Sequence, residues 1–452
     1  MKIDPTRREW LRGLLGGIGS LSLAGLAKCG LHLPARAKSV IFLYMEGGPS
    51  QIDTFDPKPE LTRRHGENAP FDTPATVFNV GKKLFGSPFS FSKHGDCGAS
   101  VSELFPHVAT CVDDLTIIRS LHHESSNHSA ACYLTHTGYP IAGSPSMGSW
   151  ITYALGSESK NLPEFVVLDC GQAPSGGAYT WGNGYLPVRY QGTKFLKGEV
   201  TVEFLNRREK SNRLQDAKLS AIRQLNKRHA ERTRGDSRIE AILASYEKAA
   251  SMQLAVPELT SLSGESKATK EVYGMGDGNT EVFGSRCLLA RRLVERGVRF
   301  VEVLSPRVKA DRWDQHGDLE RGHRENASKV DKPIAGLLRD LKARGLLDET
   351  IVVWGGEFGR TPMSQGKNGR DHNPYGYTVW VAGGGFRPGI RYGKTDDFGY
   401  YASEQKVHLH DFHATLLHQF GIDHKKLTYR HAGRDFRLTD VHGNVVREII
   451  DT

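Results

Sequence analysis

Short, continuous apolar runs stand at wide intervals along this chain. They occupy Ser39 to Met45, Val112 to Ile118, Phe165 to Leu168, Phe300 to Leu304, Ile351 to Trp354 and Thr378 to Val381. A strand covered on both faces shows no alternation, so each run is expected to be a buried strand of a parallel sheet. Helical patterns lie between them: Ser129 to Thr135, Arg286 to Glu295 and an amphipathic stretch from about Glu325 to Arg344. A further helix is expected over His410 to Phe420, with Asp411 as its N-cap and Gly421 closing it. Strands alternating with helices predict an α/β fold with a mostly parallel central sheet and helices on both faces. Residues 205–260 depart from this pattern. They are charged and poor in β-formers, so they read as a helical insertion, with Arg207 to Arg234 as a solvated basic face. Residues 257–280 read as a loop, and 423–452 as a strand-and-turn tail.

The first 37 residues have their own character. Thr6-Arg7-Arg8-Glu9-Trp10-Leu11 followed by the mild, Gly-rich apolar run Leu14 to Ala27 resembles a twin-arginine export signal, and Ala35-Arg36-Ala37 offers a cleavage site. The expected organisation is a leader over 1–37 and one domain over 38–452, exported to the periplasm or otherwise outside the cytoplasm. The Lys28 before Cys29 is wrong for a lipid anchor, and no later apolar run is long enough to span a bilayer.

The formal charge is +9; six basic and two acidic residues fall within 1–37, leaving +5 for the remainder. That balance does not call for nucleic acid and suits an anionic substrate. None of the six cysteines forms a C-x-x-C pair, which argues against a thiolate zinc site. One disulfide is compatible with an oxidising compartment, but spacing does not give its pairing.

Ligands of open parallel sheets bind beyond the carboxyl ends of the strands, so the residues that follow each run are the candidates. Glu46 and Asp53 follow the first run. Ser125, Ser126, Asn127 and His128 follow the second. Asp314 and His316 follow the Phe300 run, and Glu357 and Arg360 follow the Ile351 run. Gly369-Arg370-Asp371-His372 stands just before the last run. Imidazole and carboxylate are ligand types of zinc, manganese and related ions, and two such ions can clamp the oxygens of a displacement. Arg360 and Arg370 carry forks suited to phosphate or sulfate, and a helix starting near Ser126–Ser129 offers amide donors to an anion.

At these residues the chain resembles a widespread uncharacterised family of exported bacterial proteins, domain of unknown function 1501, within the alkaline-phosphatase-like superfamily and often labelled sulfatase-like. The similarity runs through Met45 to Pro59, Asn127 to Ala131, His136-Thr137-Gly138, Trp313 to His316, Gly345 to Thr350, Gly356 to Pro362, Gly369 to His372 and His410 to Thr415. It covers about residues 38 to 440. The resemblance implies an alkaline-phosphatase-like core holding one or two divalent ions, zinc or manganese. Asp314 and His316 are similar to the metal-binding pair after a middle strand, and His372 to the final ligand. Glu357 stands where an Asp is usual, and Phe358 replaces the usual His. Glu46 and Asp53 are both candidates for the first-strand carboxylate, with Asp53 preferred. Asn127-His128 resembles the phosphodiesterase branch, but Glu124, beside Ser125 and Ser126, occupies the position of its Thr nucleophile. The sulfatase signature C/S-x-P-x-R is absent, so formylglycine chemistry is not expected.

The resulting assignment makes Ser126, His128 and Arg360 catalytic, and Asp53, Asp314, His316, Glu357 and His372 metal ligands. Ser125, Asn127 and Arg370 bind substrate, and Asp371 orients His372. The expected function is hydrolysis of a phosphate or sulfate ester on a small molecule or polysaccharide. The alternative is a non-catalytic protein that binds a sulfated or phosphorylated polysaccharide. A scaffold using the 205–260 helices as its interface is the third reading.

Overall fold

A computed structural model describes residues 32–72, 82–159, 161–196, 211–232, 250, 252–253, 255–309 and 311–451. The leader up to residue 31 and much of the 205–260 insertion lie outside these residues. Residues 32–37 lie against the chain near its other end: the His32 and Leu33 amides donate to Gly421 and those of Arg36 and Ala37 to Gln419. Among the described residues no helix is long and apolar enough to cross a membrane.

Among the described residues, the central sheet has nine strands. They are β1 (Ser39–Tyr44), β2 (Leu115–His122), β3 (Phe165–Leu168), β4 (Thr193–Phe195), β5 (Phe300–Leu304) and β6 (Thr350–Gly355). After a hairpin of β7 (Gly359–Gln365) and β8 (Gly369–Asn373) come β9 (Tyr377–Ala382), β10 (Ile390–Tyr392) and β11 (Val407–His408). The order is β10-β2-β9-β6-β1-β5-β3-β4, with β11 beside the end of β2. β1 lies between β5 and β6, parallel to both. Only β9 runs against its neighbours, antiparallel to β2 and β6.

Six helices matter to the architecture: α1 (His128–Thr137), α2 (Met147–Leu155), α3 (Asn212–Arg232), α4 (Glu281–Glu295), α5 (Leu319–Ala343) and α6 (Leu409–Gln419). The period-2 pleat of β1 sorts its side chains between two cores. Ile41 and Leu43 face α4 and α5 through Leu288, Leu293, Ile334 and Leu338. Val40, Phe42 and Tyr44 face α1, α2 and α6 through Leu134, Trp150, Phe412 and Leu416. Helices therefore cover both faces, as the unbroken apolar strands require. Two local readings change. The expected loop over 257–280 contains a short helix, Lys267–Val272, capped by the Ser266 hydroxyl. The cap of α6 is His408 rather than Asp411, which sits three residues later and accepts from the His408 amide. Among the described residues, Cys97, Cys111, Cys132, Cys170 and Cys287 form no disulfide.

Candidate metal centre

The parallel strands all deliver their carboxyl ends to one edge, and the antiparallel β9 brings its amino end there. β1 turns through Gly47, whose φ of 102° keeps the backbone within reach of the Trp313–Asp314 segment; a Cβ there would lie 2.6 Å from the Asp314 nitrogen. β6 leads to Glu357, β5 to the loop bearing Asp314 and His316, and β8 places His372 just ahead of β9. α1 begins at His128, with the Asn127 side chain accepting from the Ala130 amide at 3.2 Å.

Asp314 is the centre of the arrangement. The Nε2 atoms of His128, His316 and His372 lie 3.1, 3.0 and 3.2 Å from its carboxylate. One donor atom from each of the four residues lies within 4.8 Å of all the others. Each imidazole is also held from behind. His128 Nδ1 donates to Glu357 Oε1 at 2.7 Å, His372 Nδ1 to the Ser126 carbonyl at 2.7 Å, and His316 Nδ1 to Gln365 Oε1. With Nδ1 spent in this way, Nε2 is the atom that each of the three rings turns, with one carboxylate, toward a common point. His128 Nε2 sits at ion-pair distance from Asp314, but the alignment is not that of a hydrogen bond, and among the described residues the buried atom has no such partner. An N₃O donor set with an orphaned imidazole nitrogen fits a zinc- or manganese-type ion.

The electrostatics agree with this. Burial alone would raise the pKa of Asp314, but the Arg360 guanidinium and the three imidazoles hold it far below the usual carboxylate range. Burial, reinforced by Arg360, lowers His372 to about 4. His128 moves the other way: burial opposes its charge, but Asp314 and Glu357 raise it to about 9. At neutral pH the metal-free His128 therefore carries a proton that a cation must displace. Zinc binding near pH 7 is expected to release about one proton and to tighten as pH rises toward 9. Calorimetry in buffers of differing ionisation enthalpy measures that proton.

Four sequence candidates thus come together as donors: Asp314, His316 and His372, with His128 from the catalytic group. Glu357 stands directly behind His128, and Tyr44 and the Gly47 amide also donate to it. Asp53 lies apart. It is fully buried and forms a two-pronged pair with Arg370, at 2.7 and 3.2 Å, joined by the Ser50 hydroxyl. Arg360 is fully buried too and is bonded to the carbonyls of Gly47, Gly48 and Arg370 and to Asp314 at 2.6 Å. Both guanidinium forks are thus engaged within the protein. Asp371 is buried and accepts from the His372 amide. Glu46 is tied to Arg312 and to Ser175. The Ser125 amide donates to His123, and Ser125 borders a cavity of about 860 Å³ that is also lined by His408 and His410. Sequence reasoning gave no role to Tyr44 or Gln365. Tyr44 had one usable signal, a polar tip at the last position of an apolar strand; Gln365 had none.

Solved structures similar to this chain include the lipoteichoic acid synthase LtaP from Listeria monocytogenes, 10% identical over 88% of this chain and 78% of that one, with a TM-score of 0.36. The PsFucS1 sulfatase from Pseudoalteromonas sp. is 12% identical over 89% and 71%, with a TM-score of 0.37. The C-terminal periplasmic domain of EcEptC from Escherichia coli, in complex with Zn, is 10% identical over 86% and 83%, with a TM-score of 0.38. No curated protein matches the sequence. A family model described as a protein of unknown function, DUF1501, matches residues 37–450.

Proposed function

The chain belongs to the DUF1501 family, and we propose that it is an exported, metal-dependent hydrolase of phosphate or sulfate esters. The observation that carries this reading is the convergence of His128, Asp314, His316 and His372, with each imidazole oriented by an oxygen acceptor on its other nitrogen. These four residues would hold one divalent cation, zinc or manganese. When bound, such an ion supplies Lewis-acid polarisation of an ester oxygen. Arg360 holds the Asp314 carboxylate, and Glu357 holds the His128 ring. The first-turn amides of α1, at His128 and Ser129, have no intrahelical acceptor and would meet the anionic group of the substrate. Attack on the ester is assigned to the Ser126 hydroxyl or to water. The Arg7-Arg8 leader supports twin-arginine export and a periplasmic location.

One observation favours a second reading, a binding protein for a sulfated or phosphorylated polysaccharide with a structural ion. Arg360 and Arg370, the two forks suited to a tetrahedral anion, are both bonded inside the protein. The deciding experiment measures metal by mass spectrometry on purified mature protein, followed by turnover of p-nitrophenyl phosphate and sulfate. Metal with turnover that a chelator abolishes supports the hydrolase. Metal without turnover of these or larger esters moves the assignment to the binding protein. A folded protein that takes up no zinc or manganese sinks both.

A further inference from the structure

His128, Cys132 and His136 are spaced four residues apart, so they form one stripe along α1. Each member of the stripe meets a group from the sheet. His128 bonds Glu357 on the loop after β6, at 2.7 Å. Cys132 Sγ lies 2.9 Å from the Tyr44 hydroxyl on β1. That hydroxyl donates its one hydrogen to Glu357 Oε2 at 2.9 Å, so the thiol is the donor to Tyr44. His136 Nε2 lies 3.0 Å from Glu302 Oε1 in the middle of β5. The Tyr44 ring stands edge-on to His136, with centroids 4.6 Å apart.

The His136–Glu302 contact lies outside the four-donor cluster. Glu302 is fully buried and His136 nearly so. His136 Nδ1 faces the Cys132 carbonyl at 2.7 Å while Nε2 faces the Glu302 carboxylate. Both nitrogens therefore face acceptors, which describes an imidazolium against a carboxylate inside the core. Among the described residues, Glu302 Oε2 has no hydrogen-bond partner. Burial lowers the basicity of His136, and Glu302 more than restores it, leaving the pKa raised. Buried ion pairs of this kind are often matched or bettered in stability by apolar pairs of similar volume, and their best-attested use is to fix register.

We infer that Glu302 and His136 are positioning residues that pin α1 against β5, so that His128, two turns earlier on the same face, meets Glu357 and Asp314. The inference rests on reading the four-donor cluster as a cation site. The pair locks the helix along its axis, and the Cys132–Tyr44–Glu357 contacts carry the same alignment to the His128 ring.

The test is the full mature chain carrying Glu302→Leu with His136→Leu, compared with wild type. Zinc affinity is read by competition with a chromophoric chelator, and amide exchange is read along α1. The double variant is expected to melt cooperatively, bind zinc about 10–100-fold more weakly, as for loss of a group that orients a ligand, and exchange its Ala131 and Cys132 amides about tenfold faster or more, with the strand amides unchanged. A folded double variant with wild-type affinity and wild-type exchange overturns the proposal. Should the leucine pair fail to fold, Glu302→Gln and Glu302→Met decide. The first keeps the hydrogen bond and is expected to hold wild-type affinity and exchange, the second to lose both; equal values in the two overturn it. A wild type that takes up no zinc sinks the cation-site reading alone, because the exchange arm still decides the positioning claim.

Discussion

Asp314→Ala is expected to abolish cation binding. The effect should exceed the about 10–100-fold that follows loss of a group behind a ligand. Asp314 is the sole anion among the four donors and touches all three imidazoles and Arg360. Its removal takes away a ligand and also the counter-charge that holds the Arg360 guanidinium beside the site. Three imidazoles would then converge next to an uncompensated cation, an arrangement that repels a metal ion. Asp314→Asn separates the two contributions: it keeps the size of the side chain and loses the charge. Zinc titration with metal content by mass spectrometry reads both variants. Wild-type occupancy in Asp314→Ala would refute the cluster as a metal centre.

Asp53→Asn is expected to cost about 3–5 kcal/mol of folding stability, the range for breaking a buried pair by removing one partner. Asp53 and Arg370 are both fully buried, and the substitution leaves the guanidinium facing a neutral amide. Zinc affinity is expected to stay at the wild-type value, because Asp53 lies outside the four donors. The pH dependence has a definite sign. Burial would raise the Asp53 pKa, but Arg370 brings it below its ordinary value. The contribution of the carboxylate is therefore complete above the unfolded pKa of about 3.9 and is lost as pH falls through the lower folded value. The gap in urea midpoint between wild type and Asp53→Asn should be wide near neutrality and narrow in acid. A variant as stable as wild type near pH 7 would deny the pair its structural role, and a variant that loses zinc would return Asp53 to the ligand set.

The strands were legible because burial on both faces leaves an unbroken apolar run. β3 and β5 match the expected spans residue for residue, and β1 differs by one. The β7–β8 hairpin was hidden because Arg360, Pro362, Arg370 and Asp371 do not look like strand residues; the two arginines are buried by pairing rather than by apolarity. Asp314, His316 and His372 could be picked out from their places next to strands. His372 precedes its strand, and it reaches the shared edge because β9 runs antiparallel, a direction that no local pattern encodes. The same limit applies to Asp53, whose partner Arg370 is 317 residues away. His128 was read from the sequence as catalytic, through the Asn127-His128 resemblance, and not as a donor. Its place among the donors depends on α1 lying across the edge of the sheet.

The central position of β1 sets a timetable for synthesis. Both of its neighbours, β5 and β6, come from residues 300–355. At translation rates of about 5–20 residues per second, the first strand waits roughly 13–50 s before either edge can be paired. During that time a six-residue apolar segment, Ser39–Tyr44, stays open to any other unpaired strand. The most exposed species of this protein is therefore the nascent chain. A ribosome-released fragment ending short of residue 300 keeps both edges of that strand bare and is bound for chaperone capture or aggregation.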